Sequence, residues 1–205
     1  MLAQKETTAH QSILKIFATT GQSPTLENLQ QELDASSLDE VNTILNSLQS
    51  KGLIHRNPED PSVTHAYPFS NEPTKHVVKL ASGAQVYSMC AVDVLGMPFM
   101  LKEDVKIDSV CDFCGENLSI QISKEGVVNT SSESIVVGNA SSGCCSVSAT
   151  DLCPHLNFFC SEDHLNQWNT KHPEQPAKLY SLDKAIKWGR TSFEGLMSGE
   201  KFCCD

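Results

Sequence analysis

Two short segments of the 205-residue sequence place residues capable of metal and proton chemistry close together. In Tyr87-Ser-Met-Cys-Ala-Val-Asp-Val94, Cys90 lies three residues before Asp93. In Asp151-Leu-Cys-Pro-His-Leu-Asn-Phe-Phe-Cys160, Cys153 and Cys160 flank His155. A helix beginning near Met89 would put the Cys90 and Asp93 side chains on one face. Its N-terminal partial positive charge would favour a thiolate, and the carboxylate could take the thiol proton and deliver it elsewhere. On spacing alone, such a pair is more often a buried Cys beside a capping or solvent-facing Asp. Likewise, Cys153 could simply precede an apolar Phe158-Phe159 that enters the core.

The other thiols offer further metal chemistry. The nine cysteines are Cys90, Cys111, Cys114, Cys144, Cys145, Cys153, Cys160, Cys203 and Cys204. An odd count with no apolar signal-peptide core in MLAQKETTAHQS does not read as a secreted disulfide framework. In a reducing compartment these thiols are buried small hydrophobes, metal ligands or reactive groups. Cys111-x-x-Cys114, followed by Gly115, has zinc-knuckle spacing. Cys144-Cys145 could complete a four-thiolate site, although adjacent cysteines chelate a tetrahedral ion awkwardly; core or loop thiols are the plainer reading. His10, His55, His65, His76, His164 and His172 show no ligand spacing.

The elements that must hold these residues follow from periodicity. The first helix carries Ile13, Leu14, Ile16 and Phe17 and stops near Gly21; Ser23-Pro24 is a helix start with Ser as cap. Leu26, Leu29 and Leu33 keep helical spacing. Ser37 with Glu40 matches a capping box, opening a third helix with Val41, Ile44, Leu45 and Leu48 on one face. Gly52 ends it, and Leu53–His55 is a short strand. This order predicts a winged-helix-like N-terminal module with its wing and linker over 1–75, and a core over 76–205. His76–Leu80 and Ala84–Ser88 read as a hairpin turning at Ser82-Gly83. Met89–Leu95 suits a short helix ended by Gly96 and Pro98. Ser119–Ser123 and Ser134–Val137 read as strands, 138–150 as a loop, and Ser161–Lys171 and Ser181–Met197 as helices. Trp168 and Trp188 fall on amphipathic helices as packing residues. Met97, Phe99 and Met100 would line an apolar pocket or belong to the core. The fold class is α+β, with a mixed or antiparallel sheet core and flanking helices.

Bulk composition excludes some functions. Forty per cent hydrophobic and 20% charged residues are ordinary for a globular chain. Val92–Leu101 is too short to span a bilayer and contains Asp93 and Pro98. A formal net charge of −10 argues against nucleic acid, which needs clustered Lys and Arg. The third helix, the recognition helix of any DNA-binding reading, has one Lys (Lys51), no Arg, and the acids Asp39 and Glu40. The expectation is a cytoplasmic protein with neither nucleic-acid nor membrane partners.

Taken together, Tyr67-Pro-Phe-Ser, Val86-Tyr-Ser-Met-Cys-Ala-Val-Asp-Val-Leu-Gly-Met-Pro-Phe and the Cys153-Pro-His-Leu-Asn-Phe-Phe run resemble the organomercurial (alkylmercury) lyase family, MerB. The likeness covers roughly 10–200 and is strongest over 67–115 and 151–172. It implies that Cys90, Asp93 and Cys153 are catalytic. Cys90 and Cys153 would hold Hg(II) as product beside Asp93, with no cofactor required and with low-molecular-weight thiols as reductant and mercury acceptor. It further implies cleavage of a carbon–mercury bond to a hydrocarbon and Hg(II), in mercury detoxification, with mercuric reductase as a partner. Departures from the family are Pro154, where some relatives have a second adjacent Cys, the second thiol at Cys111/Cys114, and the extra pairs Cys144-Cys145 and Cys203-Cys204. Cys203-Cys204 is similar to the terminal pair by which mercuric reductases pass Hg(II) inward; it is a secondary metal site or an unordered tail. The alternatives are a non-catalytic thiolate carrier or sensor for mercury, zinc or copper, and a family homologue whose substrate is not an organomercurial.

Overall fold

A computed structural model describes residues 4–57, 59, 61–126, 128–141 and 152–199. Three helices open the chain: α1 (Gln4–Thr20), α2 (Leu26–Glu32) and α3 (Leu38–Ser50). α1 buries Ala9, His10, Ile13, Leu14 and Phe17, and α3 buries Val41, Ile44, Leu45 and Leu48. These are the one-sided stripes that helical periodicity requires. The cap of α2 is Thr25 rather than Ser23: its hydroxyl accepts from the Asn28 N–H, and the Asn28 side chain accepts from the Thr25 N–H. That reciprocal bonding leaves Pro24 outside the helix. Ser37 caps α3 as expected, accepting from the Glu40 N–H. The Glu40 carboxylate, however, accepts from the N–H and hydroxyl of Ser36 and pairs with Lys5. Only half of the capping box therefore forms.

Eight antiparallel strands make the main sheet, in the order β1-β2-β3-β5-β4-β6-β7-β8. They are β1 (Ile54–Arg56), β2 (Val63–Ala66), β3 (Phe69–Ser70), β4 (His76–Lys79), β5 (Gln85–Ser88), β6 (Val105–Val110), β7 (Asn117–Ile122) and β8 (Val128–Thr130). The β4–β5 hairpin pairs His76 with Ser88 and Lys79 with Gln85. Because β3 pairs with β2 on one side and β5 on the other, the sheet runs without a break past residues 75 and 76. Phe17 of α1 stacks on Phe69 of β3 with ring centroids 5.5 Å apart. Among the described residues, side chains from all six α-helices and both sheets join one buried cluster. The fold is α+β, as the pattern of elements implied.

A second, three-stranded antiparallel sheet has β9 (Val136–Asn139) at its centre, between β10 (Leu156–Phe159) and β11 (Lys178–Ser181). α5 (Glu162–Lys171) and α6 (Leu182–Phe193) follow β10 and β11. The sequence pattern predicts no strand at β2, β3, β6, β8, β10 or β11. The expected Ser181–Met197 helix stops at Phe193, and a separate single turn follows at Leu196–Ser198. No helix among the described residues is long and apolar enough to cross a membrane.

Between these layers lies α4 (Ala91–Leu101), buried at every position from Ala91 to Met100. The sequence expectation ended this helix at Gly96 and Pro98, but it runs through both to a left-handed cap at Lys102. Pro98 forfeits one intrahelical bond, and packing on all sides holds the helix nonetheless. Gly96 serves instead as the crossing point with α6. A Cβ there would lie 2.3 Å from Phe193 Cδ2 and 2.7 Å from the Gly189 carbonyl oxygen, and one on Gly189 would lie 2.8 Å from Gly96 N and Val92 O. Since those neighbours of Gly189 are backbone, Gly189→Ala is expected to cost at least about 2–3 kcal/mol. Gly83→Ala, with nothing within 4 Å of the new Cβ but φ +86°, should cost only about 1–2 kcal/mol. Urea denaturation of the two variants checks this order.

Candidate active site

Cys90 ends the extended segment after β5 and caps α4, with φ −150° and ψ 169°. It thus sits before the helix rather than inside it, and its sulfur takes the place of the usual hydroxyl, accepting from the Asp93 N–H at 3.4 Å. Asp93 lies in the first turn, its side chain turned inward. From across the molecule, a single 3-10 turn at Cys153–His155, leading into β10, brings Cys153 to the same point. Its thiol donates to Asp93 Oδ2 at 3.6 Å. The ligand atoms of Cys90, Asp93 and Cys153 all lie within 4.8 Å of one another. The three residues are only 1%, 4% and 4% exposed.

Burial governs the protonation of this cluster. Charging any member in a site with so little water is unfavourable. Desolvation pushes the Asp93 carboxyl up to about 7, against hydrogen bonds from both thiols that favour its anion. Burial also pushes the Cys90 thiol well above its ordinary value, with the neighbouring Cys153 and Asp93 adding to the effect. Contact with Cys90 favours the Cys153 thiolate, but burial and the Asp93 charge outweigh it and raise that thiol too. At neutral pH the cluster therefore keeps its thiol protons until something softer than a proton replaces them, with a carboxyl poised to hold or give one.

Tyr67, between β2 and β3, is the residue whose place here the spacing of Cys and Asp did not reveal. Its phenol is buried beside the cluster, close enough to Cys153, Asp93 and Cys90 to feel their charges. Burial, and then the charges of Cys153, Asp93 and Cys90, hold it in the neutral form far above the usual phenol range. A neutral hydroxyl at that point can donate to a Cys153 thiolate.

The remaining candidates fall elsewhere. Phe158 and Phe159 are core residues on β10, and His155 faces Gln175 at 3.3 Å. Met97, Phe99 and Met100 are buried in the core, with Phe99 beneath the Arg190 guanidinium. Trp168 stacks on His172 and meets the edge of Phe159. Cys144, Cys145, Cys203 and Cys204 lie outside the described residues. Cys111 and Cys114 come together with Cys160 and His164. His164 thus has ligand spacing after all, four residues beyond Cys160, where the strand β10 gives way to the first turn of α5.

The alkylmercury lyase (MerB) family model matches residues 69–194, the span that carries all three members of the buried cluster. The chain belongs to the alkylmercury lyase family. It is 26% identical over 188 residues to an alkylmercury lyase of Bacillus cereus, covering 90% of this chain and 82% of that one. It is also 26% identical over 187 residues to one of Clostridium butyricum, with the same coverage. The crystal structure of the mercury-bound form of MerB2 shares the fold, with a TM-score of 0.79 at 21% identity over 96% of this chain and 93% of that one.

An alkylmercury lyase fold that buries such an acid carries a pH signature. The folded Asp93 value, about 7, exceeds the unfolded value of about 3.9. The folded chain therefore binds the proton more tightly than the unfolded one. The associated stability is fully present below the unfolded value and is lost as pH rises through about 7, on the order of 4 kcal/mol in all. Asp93→Asn should remove that slope. In urea titrations it should be more stable than the native chain above neutral pH, with the gap closing as pH falls toward about 4; parallel profiles would contradict the assigned burial cost.

Proposed function

We propose that this protein is an organomercurial lyase, breaking a carbon–mercury bond by delivering a proton to the carbon while two thiolates hold the metal. The observation that carries this reading is Asp93 buried between Cys90 and Cys153, within hydrogen-bonding reach of both. Mercury(II) is a soft ion whose preferred ligands are thiolates, so it can displace a thiol proton that burial otherwise retains.

In the proposed sequence, an organomercury cation binds the Cys90 sulfur and the Cys90 proton passes to Asp93. Cys153 then gives up its proton to solvent and joins the metal, with the Tyr67 hydroxyl donating to its sulfur. Two thiolates raise electron density on mercury and on the attached carbon. Asp93 protonates that carbon, the carbon–mercury bond breaks with its electron pair going to the new carbon–hydrogen bond, and the hydrocarbon leaves. One organomercury cation and two thiols thus become one hydrocarbon, one bis(thiolate) mercury and one proton. Low-molecular-weight thiols would then remove Hg(II), directly or on the way to a mercuric reductase. These steps draw on no cofactor beyond the three side chains, and they fit a reducing cytoplasm and a role in detoxification.

The test supplies reduced protein with phenylmercuric acetate and excess cysteine and follows benzene over many turnovers. Sustained release is expected, abolished in Cys90→Ser and in Cys153→Ser, and reduced at least about 100-fold in Asp93→Asn, as for loss of a positioned proton donor. Tight mercury binding with no hydrocarbon released would sink the proposal in favour of a thiolate carrier or sensor.

A further inference from the structure

A second group of soft ligands stands apart from the Cys90–Asp93–Cys153 cluster and has no part in the proposed reaction. Cys111 closes β6, and the tight turn to β7 carries Cys114. The Cys111 N–H donates to the Glu116 carbonyl at 2.8 Å, and the Gly115 N–H donates to the Cys111 carbonyl at 2.9 Å. Gly115 takes φ +76°, a left-handed turn that a Cβ would strain. The Asp112 N–H donates to the Phe158 carbonyl at 2.9 Å, joining the turn to β10. At the end of β10, Cys160 precedes Ser161, the cap of α5, and His164 stands in the first turn of that helix.

Distances within the group suit one ion. Cys114 Sγ is 3.9 Å from Cys160 Sγ, and Cys111 Sγ is 3.8 Å from His164 Nδ1. A tetrahedral zinc with bonds of about 2.3 Å to sulfur and about 2.0 Å to nitrogen separates sulfurs by roughly 3.8 Å, and sulfur from nitrogen by roughly 3.5 Å. All four ligand atoms lie within 4.8 Å of one another. Cys160 Sγ and His164 Nδ1, at 2.8 Å, must open slightly, by a small rotation of either side chain. The two facing sulfurs are much farther apart than the roughly 2.05 Å of a disulfide. Four protein ligands, three of them thiols, leave no open position, which marks a structural rather than a catalytic site. Phe113 packs on the His164 ring with centroids 5.2 Å apart, and Lys171 Nζ lies 4.5 Å from the Phe113 ring centroid, so the imidazole is held in place.

We propose that Cys111, Cys114, Cys160 and His164 bind one structural zinc ion. It ties the β6–β7 turn to the end of β10 and the start of α5. β10 is the strand into which the Cys153–His155 turn leads at its other end, so the ion anchors the support of Cys153 from a distance.

Metal analysis of the full-length chain, purified under reducing conditions with zinc supplied, should find one zinc that survives gel filtration. Replacing it with cobalt(II) should give the visible absorption of a tetrahedral ion together with thiolate-to-metal charge transfer, a readout that needs no variant and no activity. Cys114→Ser, at the exposed edge of the group, and His164→Ala should each weaken cobalt binding at least about 100-fold, beyond the loss of an outer-shell partner. His164→Cys should retain the tetrahedral spectrum. The Cys90→Ser/Cys153→Ser double variant should bind as the native chain does, which separates this site from the lyase reading. A reduced chain that takes up no zinc, an octahedral cobalt spectrum, or metal lost in the double variant but kept in Cys114→Ser would each overturn the assignment.

Discussion

The molecule is organised around a carboxylic acid that is almost wholly buried. Asp93 is held between two thiols, Cys90 and Cys153, and burial raises its pKa to about 7. Much of the architecture follows from keeping it there. Cys90 and Asp93 share the N-terminus of α4, so their relation is set locally by one capping bond. Cys153 reaches them only because β10 lies against α4, and α4 can be so deeply buried because Gly96 and Gly189 let α6 cross at backbone distance. A shift of α4 at that crossing would move Cys90 and Asp93 together and leave Cys153 behind.

The same constraint sets stability against chemistry. A carboxyl with two thiol neighbours in a dry pocket destabilises the folded chain at neutral pH, and a neutral amide of similar shape would relieve that cost. In the proposed reaction that cost is the counterpart of a carboxyl able to move a proton. Local conflicts of this kind are where functional sites depart from the rules that stabilise the rest of a fold. The neutral Tyr67 phenol beside Cys153 belongs to the same arrangement: it favours the thiolate without adding charge to a site that tolerates little.

The sequence made some parts of this arrangement legible and hid others for identifiable reasons. Local signals read well: the apolar stripes of α1 and α3, the Ser37 and Ser161 caps, and the hairpin turning at Gly83. The joint appearance of the Cys90-Ala-Val-Asp93 and Cys153-to-Phe159 segments pointed to the cluster that the fold then assembled. Gly96 and Pro98 misled because both are usual stop signals, whereas here tertiary packing on every side of α4 overrides propensity. The sequence did not join Cys160 and His164 to the Cys111–Cys114 pair because those cysteines, on the β6–β7 turn, lie more than 40 residues away. The visible clue was a Cys-x-x-Cys followed, one strand later in space, by a Cys and His four apart. Adjacent Cys144-Cys145 drew attention from it by their proximity in sequence.

Among possible measurements, the isotope content of the hydrocarbon tests the central claim most directly. With the reduced chain equilibrated in heavy water and supplied with phenylmercuric acetate, every exchangeable hydrogen on Cys90, Asp93 and Cys153 is deuterium. If the cluster cleaves the bond by proton delivery, mass spectrometry will find benzene carrying a single deuterium in each molecule. Undeuterated benzene, or phenol or biphenyl in its place, would mean that the carbon is not released by protonation and would contradict the account.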